Sequence, residues 1–371
     1  MPELERWELL VRRDDLTQRE IRPISGDTLR PGQIRLAVEN FAVTAISATY
    51  MRLGDSELPF WDAFPGPEGY GRVPAWGHAR VEESNHPGVA VGERCYGLLP
   101  MATHVTLTVD PTERGFTETS PAREFLHPWY RTYLRTGEAD LADDHATLLR
   151  PLFSASFNIA HCLTHRTDAP PAGEFLVRRD GPAPRSVLIT SASSKTAIGL
   201  AGLLAPRRDL TVTGITSARS TAFVRSLGLY DTVVAYDDLT PARIEAPTVL
   251  VDFTGVAERL FEVAAYAADA LTQILLVGYT HPGAQIDPPP ELIDPMPEIF
   301  FTPPEEDQLI AAEGEQSYLT RYTAAERRFI REAASWLSVR RAKGPEALLD
   351  AVDRLLTGGL PVDTGTVVSP S

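Results

Sequence analysis

Cysteine is nearly absent: the 371 residues include two, Cys95 and Cys162, far apart in the chain. So few thiols exclude a disulfide framework and suit a reduced compartment. Basic charge is also short, with 35 Lys and Arg against 50 Asp and Glu and a formal net charge of -15. No long-range field draws in phosphates, so nucleic acid and anionic membranes are excluded as partners. Arg207-Arg208 and Arg340-Arg341 read as solvated helix ends. Long apolar runs are missing too: no window reaches the ~18 consecutive apolar residues of a membrane span. Met1 to Arg13 is charged throughout and lacks the apolar stretch of a signal peptide, so a cytoplasmic location is expected.

What is present is an ordinary globular composition, 43% hydrophobic and 23% charged, long enough for two domains or one domain with a large insertion. Proline, at 31 residues, punctuates the chain. Ile34–Thr49 reads as a strand running into a turn, and Pro59–Pro74 as an ordered loop. Val81–Val109, broken at Pro87-Gly88 and Gly92, suggests a small β-rich unit. In Pro121–Asp144, Phe125, Trp129, Tyr130, Tyr133 and Leu134 recur at helical spacing among charges. The middle alternates strand and helix. Ser186–Thr190, Leu210–Thr216, Asp231–Tyr236, Thr248–Phe253 and Gln273–Tyr279 are strand candidates, and Ala197–Leu204, Ala218–Leu227 and Val256–Leu271 carry helical patterns. That alternation implies a parallel, doubly wound α/β sheet. After a break at Pro288-Pro289-Pro290, amphipathic helices are expected near Ala324–Arg341 and Pro345–Leu356.

The chemistry concentrates in the turn Thr190-Ser191-Ala192-Ser193-Ser194-Lys195-Thr196-Ala197. A dinucleotide-binding turn uses small residues, so that backbone can approach a diphosphate at a helix N-terminus. Every residue before Lys195 is Ser, Ala or Thr, and Ala197 suits the third fingerprint position, but the customary glycines are missing. Ser191, Ser193, Ser194, Lys195 and Thr196 are the candidate phosphate residues. A lysine in the first turn opposes the helix dipole, which a bound phosphate explains; the competing reading of Lys195 is a solvated first-turn charge. A Walker A reading fails, because Ser194 and Ile189 stand where that motif requires glycine.

The end of the second strand reads Thr216-Ser217-Ala218-Arg219-Ser220. An NAD site places an acid there for the ribose hydroxyls. With no acid present, Thr216, Ser217 and Arg219 suit a 2′-phosphate through charge-assisted bonds, and NADPH is the expected cofactor. The competing reading of Arg219 is an exposed first-turn arginine.

By this order of parts the chain resembles the medium-chain dehydrogenase/reductase superfamily, in its zinc-free, quinone-oxidoreductase-like branch. The resemblance rests on Gly32-Gln33-Ile34-Arg35, Tyr50-Met51-Arg52-Leu53-Gly54, Gly88–Gly97, Val251-Asp252-Phe253-Thr254-Gly255 and Leu275-Leu276-Val277-Gly278. It is closer still to a subfamily of unknown function, through Pro74-Ala75-Trp76-Gly77, Leu149-Arg150-Pro151-Leu152-Phe153 and Ser191-Ala192-Ser193-Ser194-Lys195-Thr196-Ala197. The resemblance implies a GroES-like β-rich domain built from both chain ends (1–150 and 290–371, with a helical insertion near 121–144) and a Rossmann-type domain over 151–289. It adds Gly278 to the cofactor residues.

Departures from the family pattern bear on chemistry. Gly77-His78-Ala79 lacks the glutamate of the zinc-dependent relatives, and two cysteines cannot form their four-cysteine zinc loop. No metal is expected, and His78 reads as a packed or surface histidine rather than a ligand. Ala45 and Ala48 replace the Asn and Asp of the quinone-reductase turn, and Ile46 and Ser47 replace the close subfamily's asparagines. Tyr50 aligns with the tyrosine of the zinc-free reductases and, with His127 and Tyr130, is a candidate proton donor or carbonyl ligand. For each, packing is the competing reading. The implied activity is an NADPH-dependent oxidoreductase acting on an enone, enoyl thioester or carbonyl of a small organic substrate. The alternatives are a non-redox enzyme (elimination, cyclisation or isomerisation) and a non-catalytic dinucleotide-binding protein. Relatives pair the edge strands of their cofactor sheets, so a homodimer through Gln273–Tyr279 is a further expectation.

Overall fold

Apolar residues alternating along Gln33–Val43 and an unbroken buried run at Arg94–Pro100 give the start of the chain its β-structure. In the computed structural model, residues 5–56, 59–140, 142–167, 176–240, 244–278 and 294–371 are described. Two units emerge, Met1–Leu148 with Leu337–Ser371, and Leu149–Trp336. The elements in order are β1 (Trp7–Arg12), β2 (Arg19–Pro23), β3 (Gln33–Val43), α1 (Ala45–Arg52), β4 (Tyr70–Arg72), β5 (Pro74–Ser84), β6 (Arg94–Pro100), β7 (His104–Thr112), β8 (Gly115–Glu118), α2 (Pro128–Arg131), β9 (Thr132–Arg135) and α3 (Asp143–Thr164). They continue with β10 (Ser186–Ile189), α4 (Lys195–Leu204), β11 (Thr211–Thr216), α5 (Thr221–Ser226), β12 (Thr232–Ala235), β13 (Thr248–Asp252), α6 (Ala257–Ala267), β14 (Leu271–Leu276), β15 (Glu298–Ile299), α7 (Thr302–Glu313), α8 (Glu315–Ala333), β16 (Ser338–Lys343), α9 (Gly344–Leu356) and β17 (Thr364–Ser369).

In the first unit β3 pairs antiparallel with β5 and also with β7. The path β3-β5-β6-β9-β8-β7 therefore returns to β3 and closes a barrel-like sheet, which removes exposed strand edges. β17, from the other end of the chain, joins β3, with Val367 opposite Ala42. Both chain ends thus build this unit.

The second unit holds a six-stranded, wholly parallel sheet in the order β12-β11-β10-β13-β14-β15. Renumbered from β10, that is the 3-2-1-4-5-6 order of a Rossmann fold. Its central strands β10 and β13 are buried on both faces. Val187, Ile189, Val249 and Val251 pack with Leu200, Leu204 and Ile159, while Leu188, Leu250 and Ile274 pack with Leu260 and Val263. That two-sided burial is why these strands read as apolar runs rather than alternating ones.

Four expectations need correction. Pro121–Asp144 is not helical: α2 is four residues long, and Tyr133 and Leu134 lie on β9. Pairing of β9 with β6 and β8, and the stack of Tyr133 on Phe116 at 5.3 Å, override the local helical spacing. The helix expected over Ala324–Arg341 stops at Ala333, and β16 follows, paired with β17. The first unit resumes at Leu337 rather than near residue 290, because β15 extends the parallel sheet and α7 and α8 pack with it. Glu305 of α7, for example, is fully buried against Arg179 (2.5 Å) and Val177 N–H (2.7 Å). Finally, β14 is not the sheet edge, since β15 covers Leu275 and Leu276. Tyr279 and the Pro288–Pro290 break lie outside the described residues.

One histidine couples this unit to pH. His161 on α3 stacks on His165 at 4.0 Å, and its Nδ1 has no hydrogen-bond partner among the described residues. Burial, then the neighbouring His165, Arg179 and Arg321, pull its pKa down to about 4. A depressed histidine favours the neutral, folded form above the unfolded value of about 6.5, and that stability is lost as pH falls through this value towards the folded one. Melting temperatures should therefore drop between pH 7 and pH 4 by less in His161→Gln than in the parent. Parallel pH profiles for the two would show that His161 does not titrate this way.

Candidate active site

The sheet order reverses at β10, which has β11 on one side and β13 on the other. Open α/β sheets bind ligands beyond the strand ends at this point. The turn leaving β10 enters α4 with Ser194 as its N-cap, whose Oγ accepts Ala197 N–H at 3.3 Å and whose carbonyl accepts Ile198 N–H at 2.9 Å. The N–H groups of Ser193 and Thr196 find no acceptor among the described residues, as expected for donors ahead of the first helical hydrogen bond. Ser191, Ser193, Ser194, Lys195 and Thr196 are all half-buried, so the turn keeps an accessible face.

Without glycines the turn needs other means to hold its shape. Ser191 adopts a left-handed φ of 45°, a conformation costing a non-glycine residue on the order of 1–2 kcal/mol. Its N–H donates to Tyr236 Oη at 2.8 Å and its carbonyl accepts Ser194 N–H at 2.7 Å. Two hydrogen bonds of about 1 kcal/mol each are enough to offset that strain. Next to it, Ala192 N–H donates to Ile215 O at 3.1 Å, and Ala192 O accepts Tyr230 Oη at 2.8 Å.

Asp252 ties the strand ends together. Its buried carboxylate accepts Thr190 Oγ1 (2.6 Å), Thr254 Oγ1 (2.8 Å) and Gly255 N–H (2.8 Å), while Thr190 Oγ1 in turn accepts Phe253 N–H (2.8 Å). Burial raises its pKa above the ordinary aspartate value, and the donors pull against that shift. Gly278 N–H donates to Asp252 O at 3.2 Å, and a Cβ on Gly278 would lie 2.2 Å from Phe253 O. Glycine is thus required there by close backbone approach, whatever else the residue contacts.

The cofactor candidates gather at these carboxyl ends. Thr216, buried at the end of β11, donates to Ser193 Oγ at 3.5 Å, and Ser217 Oγ donates to Ser220 Oγ at 3.1 Å. Arg219 is exposed on the short 3-10 turn that follows, with no ion pair among the described residues.

The proton-donor candidates lie in the first unit. Tyr50 on α1 is buried, and its Oη accepts Trp76 Nε1–H at 2.9 Å. Its own hydrogen finds no acceptor among the described residues. Burial first, then the nearby Tyr130, raise the Tyr50 pKa well above its usual value, so the phenol stays protonated. Tyr130 is brought within 6.5 Å of the Tyr50 ring, and Phe60 lies 4.3 Å from Tyr50 and 5.5 Å from Tyr130. His127 instead caps α2, with Nδ1 accepting Trp129 N–H at 3.2 Å, which puts the proton of a neutral ring on Nε2. Of the two readings of His78, packed or surface, the structure shows the packed one, with Nδ1 3.2 Å from Asn40 Oδ1 and 3.1 Å from Thr147 Oγ1. Cys95 and Cys162 are both buried free thiols, and burial pushes the Cys95 thiol up to about 12. No cluster of three metal-ligating side chains occurs among the described residues.

Sequence reading missed Tyr230, Tyr236 and the organising role of Asp252. The available signal was Gly214, an isolated glycine inside a strand, which marks close approach of another group. Here a Cβ would meet Tyr230 Cδ1 at 2.8 Å and Ala192 Cβ at 3.0 Å. For Asp252, substitution by Asn keeps the shape but points an amide at existing donors. We expect Asp252→Asn to lower the unfolding free energy in urea by about 1–3 kcal/mol. An unchanged midpoint would remove Asp252 from this account.

Comparison with known proteins adds the following. Proteins of characterised function give no significant match. Among solved structures, the chain is similar to CurA from Vibrio vulnificus in complex with NADPH (TM-score 0.62, 14% identity, covering 98% of this chain and 99% of that one). It is also similar to S. aureus TarJ in complex with NADPH (0.57, 10%, 99% and 99%) and to the yhdH oxidoreductase from Salmonella enterica in complex with NADP (0.55, 12%, 98% and 100%). At such identities the likeness shows the fold alone. A family profile matches residues 41–361, and the chain therefore belongs to the family described as protein of unknown function (DUF2855).

Proposed function

We propose that this protein is an NADPH-dependent oxidoreductase that reduces a small enone, enoyl thioester or carbonyl compound, without a metal. The observation that carries the reading is the turn at the strand-order reversal. Small residues line it, the N–H groups of Ser193 and Thr196 are unspent, and Lys195 opens α4. Those features suit a diphosphate, whose charge the helix N-terminus favours by both dipole and donors. Arg219, with Thr216 and Ser217, suits the 2′-phosphate, and Gly278 stands just beyond the end of β14. The fold neighbours CurA and TarJ, solved in complex with NADPH, and yhdH, solved in complex with NADP, support the same choice.

When bound, the cofactor supplies the hydride. The chain's own residues hold it and provide the proton. Tyr50 is the best placed of the three acid candidates, because the Trp76 indole occupies an acceptor site on its oxygen and leaves the O–H to donate. A substrate carbonyl oxygen accepts that hydrogen bond and is thereby polarised towards attack. Tyr130 lies beside it as a second phenol, while His127 spends Nδ1 on its helix cap.

The reading is tested by following NADPH absorbance at 340 nm against a panel of enones, enoyl thioesters and aldehydes. Consumption with at least one class is expected; no turnover of any, together with no NADPH binding at millimolar concentration, defeats it. Two variants sharpen the test. Arg219→Ala should weaken NADPH binding about 10- to 100-fold, the worth of a charge-assisted contact, and leave NADH affinity unchanged. Tyr50→Phe should lower kcat by about 100-fold with little change in KM; a larger effect on KM than on kcat would assign Tyr50 to binding.

A further inference from the structure

Between β11 and β13 the chain runs through two tyrosines that flank β12, Tyr230 just before it and Tyr236 just after. Both turn their hydroxyls onto the same two residues of the β10–α4 turn. Tyr230 Oη donates to Ala192 O at 2.8 Å. Tyr236 Oη accepts Ser191 N–H at 2.8 Å. One jaw takes a carbonyl and the other an amide, so the peptide groups before Ser191 and after Ala192 are both held. Nothing in the proposed reaction uses either hydroxyl.

Three neighbouring features are fitted to this arrangement. Gly214, paired with Ile189 across the β10–β11 ladder, leaves the space that the Tyr230 ring fills. Arg259 lies over the Tyr236 ring, 4.9 Å from its centroid, and holds it from the far side. Ser191, in the grip of Tyr236, has the left-handed φ of 45° that glycine ordinarily supplies. A serine keeps that conformation only where the surroundings over-determine it.

We infer that Tyr230 and Tyr236 are positioning residues that clamp the two peptides flanking the Ser191–Ala192 bond and so fix the turn in its diphosphate-binding shape, in place of the missing glycines. The clamp acts through the backbone. It leaves Ser193 N–H and Thr196 N–H without an acceptor among the described residues, while the amides of Ser191 and Ala192 are spent on Tyr236 Oη and Ile215 O. Tyr230 is half-buried, packed over Gly214 with its hydroxyl spent on Ala192 O, so its effect on a bound dinucleotide is indirect. The inference rests on the proposed cofactor reading for its functional consequence, and on the hydrogen bonds alone for its structural one.

Two measurements on the full-length protein separate these. In the first, calorimetry compares NADPH with adenosine 2′-monophosphate, which lacks the diphosphate. Tyr230→Phe should weaken NADPH about tenfold, the loss of roughly one hydrogen bond's worth of order in the turn, and leave the monophosphate's affinity unchanged. Equal affinity of Tyr230→Phe and parent for NADPH, or equal losses for both ligands, overturns the positioning role. In the second, which needs no cofactor, melting temperatures are taken for Ser191→Gly, Tyr236→Phe and the double variant. If Tyr236 holds Ser191 in its left-handed conformation, Ser191→Gly recovers part of the stability lost in Tyr236→Phe, because glycine adopts that conformation unaided. Strictly additive effects overturn the clamp. A parent protein that binds no NADPH defeats the proposed function, and the melting cycle then still decides whether the clamp exists.

Discussion

A backbone turn can lie against an anionic group only if its remaining polar atoms are already satisfied within the protein. In Thr190–Ala197 that constraint is met by side chains reaching in from other strands. Asp252 engages Thr190, Tyr236 engages Ser191, and Tyr230 engages Ala192. Asp252 comes from β13, the neighbour of β10, and the two tyrosines from the ends of β12, two strands away on the other side, so the shape of the turn depends on the register of the whole parallel sheet. A glycine-rich turn achieves the same end locally, with backbone freedom. This chain uses hydroxyls and a buried carboxylate, and accepts the desolvation of Asp252 as the cost.

That difference explains what could be read from the sequence. The parallel strands were legible because burial on both faces leaves continuous apolar runs such as Ser186–Ile189 and Thr248–Asp252. The small-residue turn and the acid-free end of β11 were legible because both are local. Tyr230 and Tyr236 were not, since their partners lie 38 and 45 residues away in sequence. The same limit applies to Tyr133. Its helical spacing with Trp129 and Tyr130 is real, but strand pairing with β6 and β8 decides its conformation. The return to the first unit was placed early because β15, α7 and α8 carry no motif of their own, and only packing such as that of Glu305 assigns them.

The first unit shows how ambiguous buried aromatics are. Tyr50, Phe60, Trp76, Trp129 and Tyr130 form a contiguous set of rings, each within 6.5 Å of another. Packing alone accounts for their burial. What singles out Tyr50 is hydrogen-bond direction: an indole N–H fixes it as an acceptor on one side and leaves a proton with nowhere to go in the protein. The fold by itself hosts many chemistries, so the argument for reduction rests on such particulars and not on architecture.

The most direct measurement is a crystal structure of the protein soaked or grown with NADPH. The account predicts a diphosphate within hydrogen-bonding distance of the Ser193 and Thr196 amides, with the adenosine 2′-phosphate beside Arg219. Density showing the turn closed on itself with its accessible face filled, or the dinucleotide bound elsewhere, would contradict it.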